Sequence, residues 1–294
     1  MKPVFSTVTV PVDGSPAAAR GIAFALELAA SGGAIRFCSV VDDSLICVSA
    51  AEGAMVDTGP MLAEVTADAQ AFCHAACTRA AAAGVAAEGA VLRGPCAAEI
   101  VGFARRNGSQ AIVLGTRGRQ GFERALFGSV AEAVVRTSRL PVIVVHADDE
   151  TRTGPVLVAL DDSTASPGVL EVAMTAAAAR GRSLAIVHVL QAEAPDRRDA
   201  HYLDDAFAAA SKRGISASIV LVSGDPAEQL LDTADRLEAC MIVMGTHGHS
   251  FVPRLWLGSV AAAVVQRARV PVATVRQPRP AERSVAFAQP GASA

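Results

Sequence analysis

Apolar residues in this chain fall into two kinds of run. Short, nearly unbroken Val/Ile/Leu stretches, such as Val156-Leu157-Val158, alternate with longer Ala-rich stretches in which polar residues recur. The short runs suit strands covered on both faces, and the longer ones suit helices packed on a sheet. The pattern predicts a strand over 7–12 and a helix opened by Ser15-Pro16 that runs to about residue 31. A strand over 35–41, a helix over 61–83, a strand over 88–92 and a short helix from 97 follow. The first half closes with a strand over 111–114, a helix over 129–138 and a strand over 141–145. The second half repeats this order, with strands near 156–160, 183–189, 216–222, 241–244 and 270–275. Asp225-Pro226-Ala227-Glu228 is its clearest helix start: an N-cap Asp, Pro at the first helical position and Glu two residues later. Strands that alternate with helices imply parallel sheets with right-handed crossovers, the α/β class.

The repetition extends to residue identity. Residues 110–146 align without gaps on 240–276, with 17 identities in 37 positions. The strand starts also match, Val8 to Ser15 against Val156 to Ser163. The offset falls from 148 at the start to 130 at the end, so the first copy carries 148 − 130 = 18 extra residues, placed by their composition in the 42–60 connection. Two repeated domains result: 1–146 and 155–276, joined by a polar linker at 147–154 and followed by a Pro-containing, aperiodic tail at 277–294.

Within each copy, glycines end the fourth strand and open the next helix. The first reads Gly115-Thr116-Arg117-Gly118, nine residues, then Gly128-Ser129-Val130; the second reads Gly245-Thr246-His247-Gly248, nine residues, then Gly258-Ser259-Val260. Glycines there let backbone N–H groups approach a phosphate at a helix N-terminus. Asp13, after Pro11, and Asp161 end the first strand of each copy. If first and fourth strands are neighbours, carboxylate and glycine loop face one crevice at the switch in strand order, where open α/β sheets bind ligands. Tight turns would account for the glycines, and helix capping for the two Asp residues, without any ligand.

Composition narrows the partners. With 51% hydrophobic and 19% charged residues the chain is globular. A net charge of -3, with lysine at positions 2 and 212 alone, gives no electrostatic case for nucleic acid or an anionic membrane. No apolar run approaches the ~18 residues of a membrane span, and the N-terminal residues do not look like a signal peptide, so a cytoplasmic protein with reduced cysteines is expected.

The duplicated pattern resembles the universal stress protein family in its tandem form, over residues 5–146 and 154–276. The Gly-x2-Gly-x9-Gly-Ser signature, present in full twice, marks the ATP-binding branch of that family. The resemblance implies a Rossmann-like, adenine nucleotide alpha hydrolase-like fold, with five parallel strands per domain, helices on both faces and ATP at the strand ends, with or without Mg2+. It implies that Pro11, Asp13 and Asp161 meet the adenosine moiety and that Val40 and Val189 line the adenine pocket. Gly115, Arg117 and Gly118, and likewise Gly245, His247 and Gly248, would contact ribose and phosphates. Gly128, Ser129 and Val130, with Gly258, Ser259 and Val260, would offer phosphate donors, the two serines also capping their helices. It further implies that the fifth strands pair the two domains into an intramolecular pseudo-dimer, and leaves open whether two chains associate. Arg117 against His247 predicts unequal sites, and Cys96 stands where copy two has the helix-starting Pro226.

Other chemistry is thin. Arg124 and Arg254 could reach phosphates or be solvated. Cys73-His74-x2-Cys77 puts two thiols on one helix face, where zinc would need Cys47 or Cys96 as well, and small buried cysteines are as good an explanation. His188 reads as a hydrogen-bonded core residue. There is no Gly-x4-Gly-Lys-Ser/Thr, no Gly-x-Ser-x-Gly and no His-Glu-x-x-His, so no catalytic residue is assigned. Three functions follow: an ATP-binding stress-response protein acting through nucleotide occupancy, a slow ATPase or nucleotidyl transferase, and a nucleotide-free interaction scaffold.

Overall fold

A computed structural model describes residues 5–42, 59–116, 128–163, 166–190, 201–247 and 257–276. In the first half, strands β1 (Thr7–Pro11), β2 (Ala34–Val41), β3 (Ala86–Arg93), β4 (Ala111–Thr116) and β5 (Val142–His146) alternate with helices α1 (Pro16–Ala29), α2 (Gly59–Ala82), α3 (Cys96–Arg106) and α4 (Ser129–Thr137). In the second half, β6 (Val156–Ala159), β7 (Leu184–Leu190), β8 (Ala217–Ser223), β9 (Met241–Gly245) and β10 (Val272–Val275) alternate with α5 (Ser166–Arg180), α6 (His201–Lys212), α7 (Pro226–Arg236) and α8 (Ser259–Arg267). Each half is a five-stranded parallel sheet, and the halves merge into one ten-stranded sheet of order β3-β2-β1-β4-β5-β10-β9-β6-β7-β8. The connection in the 42–60 region and the tail at 277–294 lie largely or wholly outside the described residues.

The sheet is buried on both sides, which is why its central strands read as unbroken apolar runs. Alternate strand residues feed two cores. Ile35, Phe37, Val113 and Ile143 pack with α1, α2, α5 and α6, and Ile112, Leu114, Val142 and Val144 pack with α3, α4, α7 and α8.

The two halves meet at the fifth strands. β5 and β10 pair antiparallel, Val144 opposite Val272 and Ile143 opposite Ala273, a relation unlike the parallel pairing elsewhere in the sheet. Taken singly each would be an exposed edge that invites pairing; here each covers the other. On one face α1 and α5 close the seam. The Arg180 guanidinium lies 4.9 Å over the Phe24 ring and binds Glu27 at 2.6 Å. Residues 147–154 are pinned across it: Arg20 donates to the Asp149 carbonyl, and Glu150 N–H donates to the Arg269 carbonyl at 2.7 Å.

Helix starts follow the local chemistry. Ser15 Oγ accepts the Ala18 N–H at 3.1 Å, and Asp225 Oδ1 accepts the Glu228 N–H at 3.0 Å. At the matching start of α3, Pro95 occupies the cap position and supplies no side-chain bond. Asp225→Ala leaves the Glu228 N–H without that acceptor. We expect about 1 kcal/mol of destabilisation in urea unfolding, whereas Pro95→Ala should change stability by less.

Candidate functional site at the carboxyl ends of the strands

In copy one, β1 lies beside β4, Val8 opposite Ala111 and Thr9 opposite Ile112. On one side of this pair lie β2 and β3 and on the other β5, so the strand order switches here. Parallel strands end on the same side, and Pro11 and Asp13 therefore stand beside Gly115 and Thr116. Asp13 is exposed, and its Oδ1 accepts the Ser15 N–H at 3.0 Å. This turn delivers the chain into α1, with Gly14 at φ +74°. Val40, half-buried near the end of β2, packs against the core on the α3/α4 side.

Gly115 has a role that the glycine pattern did not reveal. A Cβ there would lie 2.7 Å from the Ala18 nitrogen and closer still to the Ala17 carbonyl. The end of β4 thus runs directly under the first turn of α1. Gly21 makes the reciprocal approach one turn on, its notional Cβ 3.1 Å from the Gly115 nitrogen. Close helix–strand packing, rather than phosphate contact alone, demands glycine at 115.

The N-cap of α4 is Gly128 and that of α8 is Gly258, neither with a side-chain cap bond. Ser129 and Ser259 are therefore the first helical residues, not the caps that the sequence suggested. Helical φ/ψ at the serine removes the extended geometry in which a capping hydroxyl folds back on its own helix. Both serines are exposed; Val130 is exposed and Val260 half-buried.

Copy two repeats the frame with different contacts. β6 lies beside β9, Val158 opposite Val243, which brings Asp161 next to Gly245. Asp161 is half-buried. Its Oδ1 accepts the Ser163 N–H at 3.1 Å and the Ser166 hydroxyl at 3.2 Å, and Ser166 also donates to the Asp161 carbonyl. Gly258 has φ −63° and gives its N–H to the Thr246 carbonyl at 2.8 Å. Gly128 instead sits at φ +96°, with no described atom within 4 Å of a notional Cβ. His247 Nδ1 lies 3.3 Å from Thr246 Oγ1, and Val189 is half-buried opposite Val222. Arg117, Gly118, Gly248, Arg124 and Arg254 lie outside the described residues.

Sequence reasoning missed two residues at this end of the sheet. Thr116 and His146 are partners in the β4–β5 register, both buried. Thr116 Oγ1 has no hydrogen-bond partner among the described residues, and His146 Nδ1 lies 3.6 Å from Asp149 Oδ1. A polar residue closing each of two adjacent apolar runs was the available signal. His188 is hydrogen-bonded as predicted, its Nδ1 lying 3.0 Å from the Leu160 carbonyl and 2.7 Å from the Tyr202 hydroxyl, but it is half-buried rather than a core residue. At the seam, a cavity of about 40 Å³ beside Arg20, Phe24 and Arg180 has room for a few waters but not for a nucleotide.

The universal stress protein family model matches residues 5–146 and 153–276. The chain belongs to the universal stress protein family. Both halves match, so it is a tandem universal stress protein. A universal stress protein of Mycobacterium tuberculosis is 34% identical over 188 residues, 58% of this chain and 63% of the relative, so the match spans less than two thirds of that protein. A second from the same species is 28% identical over 229 residues, 70% of this chain and 71% of the relative. The crystal structure of a universal stress protein from Archaeoglobus fulgidus superposes with TM-score 0.73 at 24% identity, covering 92% of this chain and 98% of that one, which shows a shared fold. No described helix of this universal stress protein is long and apolar enough to cross a membrane.

Proposed function

We propose that this universal stress protein binds ATP at the carboxyl ends of its strands and acts in stress response through nucleotide occupancy. The observation that carries this is the convergence, at the strand-order switch, of an exposed Asp13, the glycine-bearing end of β4 and the start of α1. Val40 would form an apolar wall for adenine, and Asp13 would accept hydrogen bonds from ribose hydroxyls or the base edge. Phosphates would rest on backbone N–H groups from Gly115 to Gly118 and on the first turn of α4 at Gly128, Ser129 and Val130, where the helix terminus favours negative charge. Lys212 is far along α6, so backbone dipoles, Arg117 and any accompanying Mg2+ would balance the phosphate charge. Copy two offers the same set through Asp161, Val189, Gly245, His247, Gly248, Gly258, Ser259 and Val260, with two differences that weaken it. The Gly258 N–H is already bonded to Thr246, and the Asp161 carboxylate accepts the Ser166 hydroxyl in addition to the Ser163 N–H, the counterpart of the Ser15 N–H on Asp13. Site one is therefore the tighter of the two.

The test is to denature freshly purified protein, identify released nucleotide by mass spectrometry, and titrate the stripped protein with ATP. One ATP per chain, lost in Gly118→Val and kept in Gly248→Val, is the expected result. Two equal sites would overturn the ranking. No released nucleotide and no binding in the titration would leave the glycine loops as structural turns and favour the scaffold function.

A further inference from the structure

The two copies can be compared position by position on the face where α2 and α6 cover the outer strands. Phe37 pairs with Gly89 across β2–β3, and Ile186 pairs with Ile219 across β7–β8. Ala76, Ala80 and Gly84 match Ala206, Ala210 and Gly214 at the constant offset of 130. On this register Leu203, Phe207 and Ile219 of copy two correspond to Cys73, Cys77 and Gly89 of copy one. Copy two uses Leu203 and Ile219 as ordinary members of its core. Copy one replaces all three bulky side chains at once, two by thiols and the one beneath them by glycine.

The replacement leaves space. An open recess of about 360 Å³ is lined by Gln70, Cys73, His74, Cys77, Gly89 and Val91. Gly89 is its floor. A Cβ there would lie 2.9 Å from Cys73 Cβ and 3.3 Å from Cys77 Sγ, so both cysteines bear on one point of the strand. Glycine inside a strand weakens it and marks a close approach by something else; here the approaching groups are the two thiol-bearing side chains. Cys73 is buried, with its thiol 3.5 Å from the Ala90 carbonyl, and Cys77 is half-buried; neither is in a disulfide.

The spacing selects what the pair can do. Residues four apart on a helix have Cβ atoms about 5–6 Å apart, whereas a disulfide needs about 3.5–4.5 Å. Direct S–S bonding would distort a regular helix. A single ion between the sulfurs fits better: two bonds of about 2.3 Å, the zinc–thiolate length, set in line span about 4.6 Å. Zinc itself wants four ligands, and among the described residues no three His, Cys, Asp or Glu side chains come together to hold a metal. Two sulfurs alone suit a soft cation that accepts linear coordination, and soft thiolate ligands select Cu(I).

The geometry points to a two-thiol site for one Cu(I) ion, held between Cys73 and Cys77 above Gly89, in the first domain only. Each sulfur gives up its proton as it binds, so the ion replaces two protons and the electron count of the metal does not change. Burial first, and then the neighbouring Cys77, pushes the Cys73 thiol up; burial and then Glu88 push Cys77 up.

The experiment is an anaerobic titration of the fully reduced chain with Cu(I), in competition with bicinchoninate as the coloured probe. One Cu(I) per chain should be withdrawn from the probe, and X-ray absorption should show two sulfur neighbours. Cys77→Ser should weaken this binding by more than the roughly 10–100-fold that loss of an outer-shell partner costs, and Cys96→Ser should leave it unchanged. Cys73 is buried, so Gly89→Ala serves as a second probe: it keeps both thiols, crowds the floor and should also weaken binding, with circular dichroism reporting that the fold is intact. No Cu(I) withdrawn from bicinchoninate, or a Cu(I) that survives Cys77→Ser, would overturn the site.

Discussion

Gly115→Ala should destabilise the nucleotide-free protein by about 3 kcal/mol, the upper end of what overpacking a close contact usually costs. In a thermal melt this corresponds to a loss of roughly 5–10 °C. The added methyl group would sit within 2.7 Å of the Ala18 nitrogen, and the obstacle is helix backbone, not a side-chain tip that could swing aside. α1 cannot yield easily, because Ser15 caps its first turn and Leu28 and Phe24 hold its body in the core. The companion Gly128→Ala separates the two roles of glycine. No described atom lies near a Cβ at 128, but φ is +96°, so the cost there is backbone strain of about 1–2 kcal/mol. If glycine at 115 served only to bare its N–H to phosphate, Gly115→Ala would weaken ATP binding and leave the melt of stripped protein unmoved. Equal melts for Gly115→Ala and the parent would therefore refute the packing role.

That distinction shows how far residue patterns could be read. Strand and helix order and the duplication were legible, because apolar periodicity and the match of Val8–Ser15 with Val156–Ser163 report backbone geometry directly; that β1 lies beside β4 was only a condition in the sequence, and the structure supplies it. The glycine positions were legible too, but not their causes. Which atoms crowd Gly115 depends on where α1 returns over the sheet, a contact between residues about 97 apart in the chain. Ser15 and Asp225 cap their helices as read, but the caps of α4 and α8 were off by one residue, since Gly128 and Gly258 hold the cap positions while Ser129 and Ser259 carry the composition of a cap. Arg117 against His247 was the difference between the copies expected from the sequence, and Arg117 lies outside the described residues. The structure adds others, at Gly258 bonded to Thr246 and at Asp161 bonded to Ser166. These are hydrogen bonds that no spacing rule encodes. The seam was legible only through the resemblance. Val142–Val145 and Val272–Val275 are apolar enough to pair, but nothing in them says that they pair with each other or run antiparallel.

The seam leads to the second large effect. Ala273→Asp should cost about 3–5 kcal/mol at neutral pH, the range for a buried charge left without a partner, and should split the urea transition into two. Ala273 is fully buried and faces Ile143 across β5–β10, with Val145 and Val275 in the same core. The core neighbours Ile143, Val145 and Val275 offer a carboxylate there no hydrogen-bond donor from their side chains. The remaining cross-seam contacts cannot make up the loss. Arg180–Glu27 has one half-exposed partner, and such pairs contribute about 0–1 kcal/mol. With the central pairing weakened and each half retaining its own five strands, the halves should unfold in sequence, seen by circular dichroism as two steps where the parent shows one. The pH dependence gives a second check. Desolvation raises the folded-state pKa of the new Asp above its unfolded value near 3.9, so the folded protein binds the extra proton more readily. The penalty is fully present at neutral pH and shrinks as pH falls through the raised pKa toward about 4. Ala273→Asn, which cannot ionise, should lose less stability and show no such pH recovery. An Ala273→Asp variant with one transition and parent-like stability would mean that the fifth strands do not hold the two domains together.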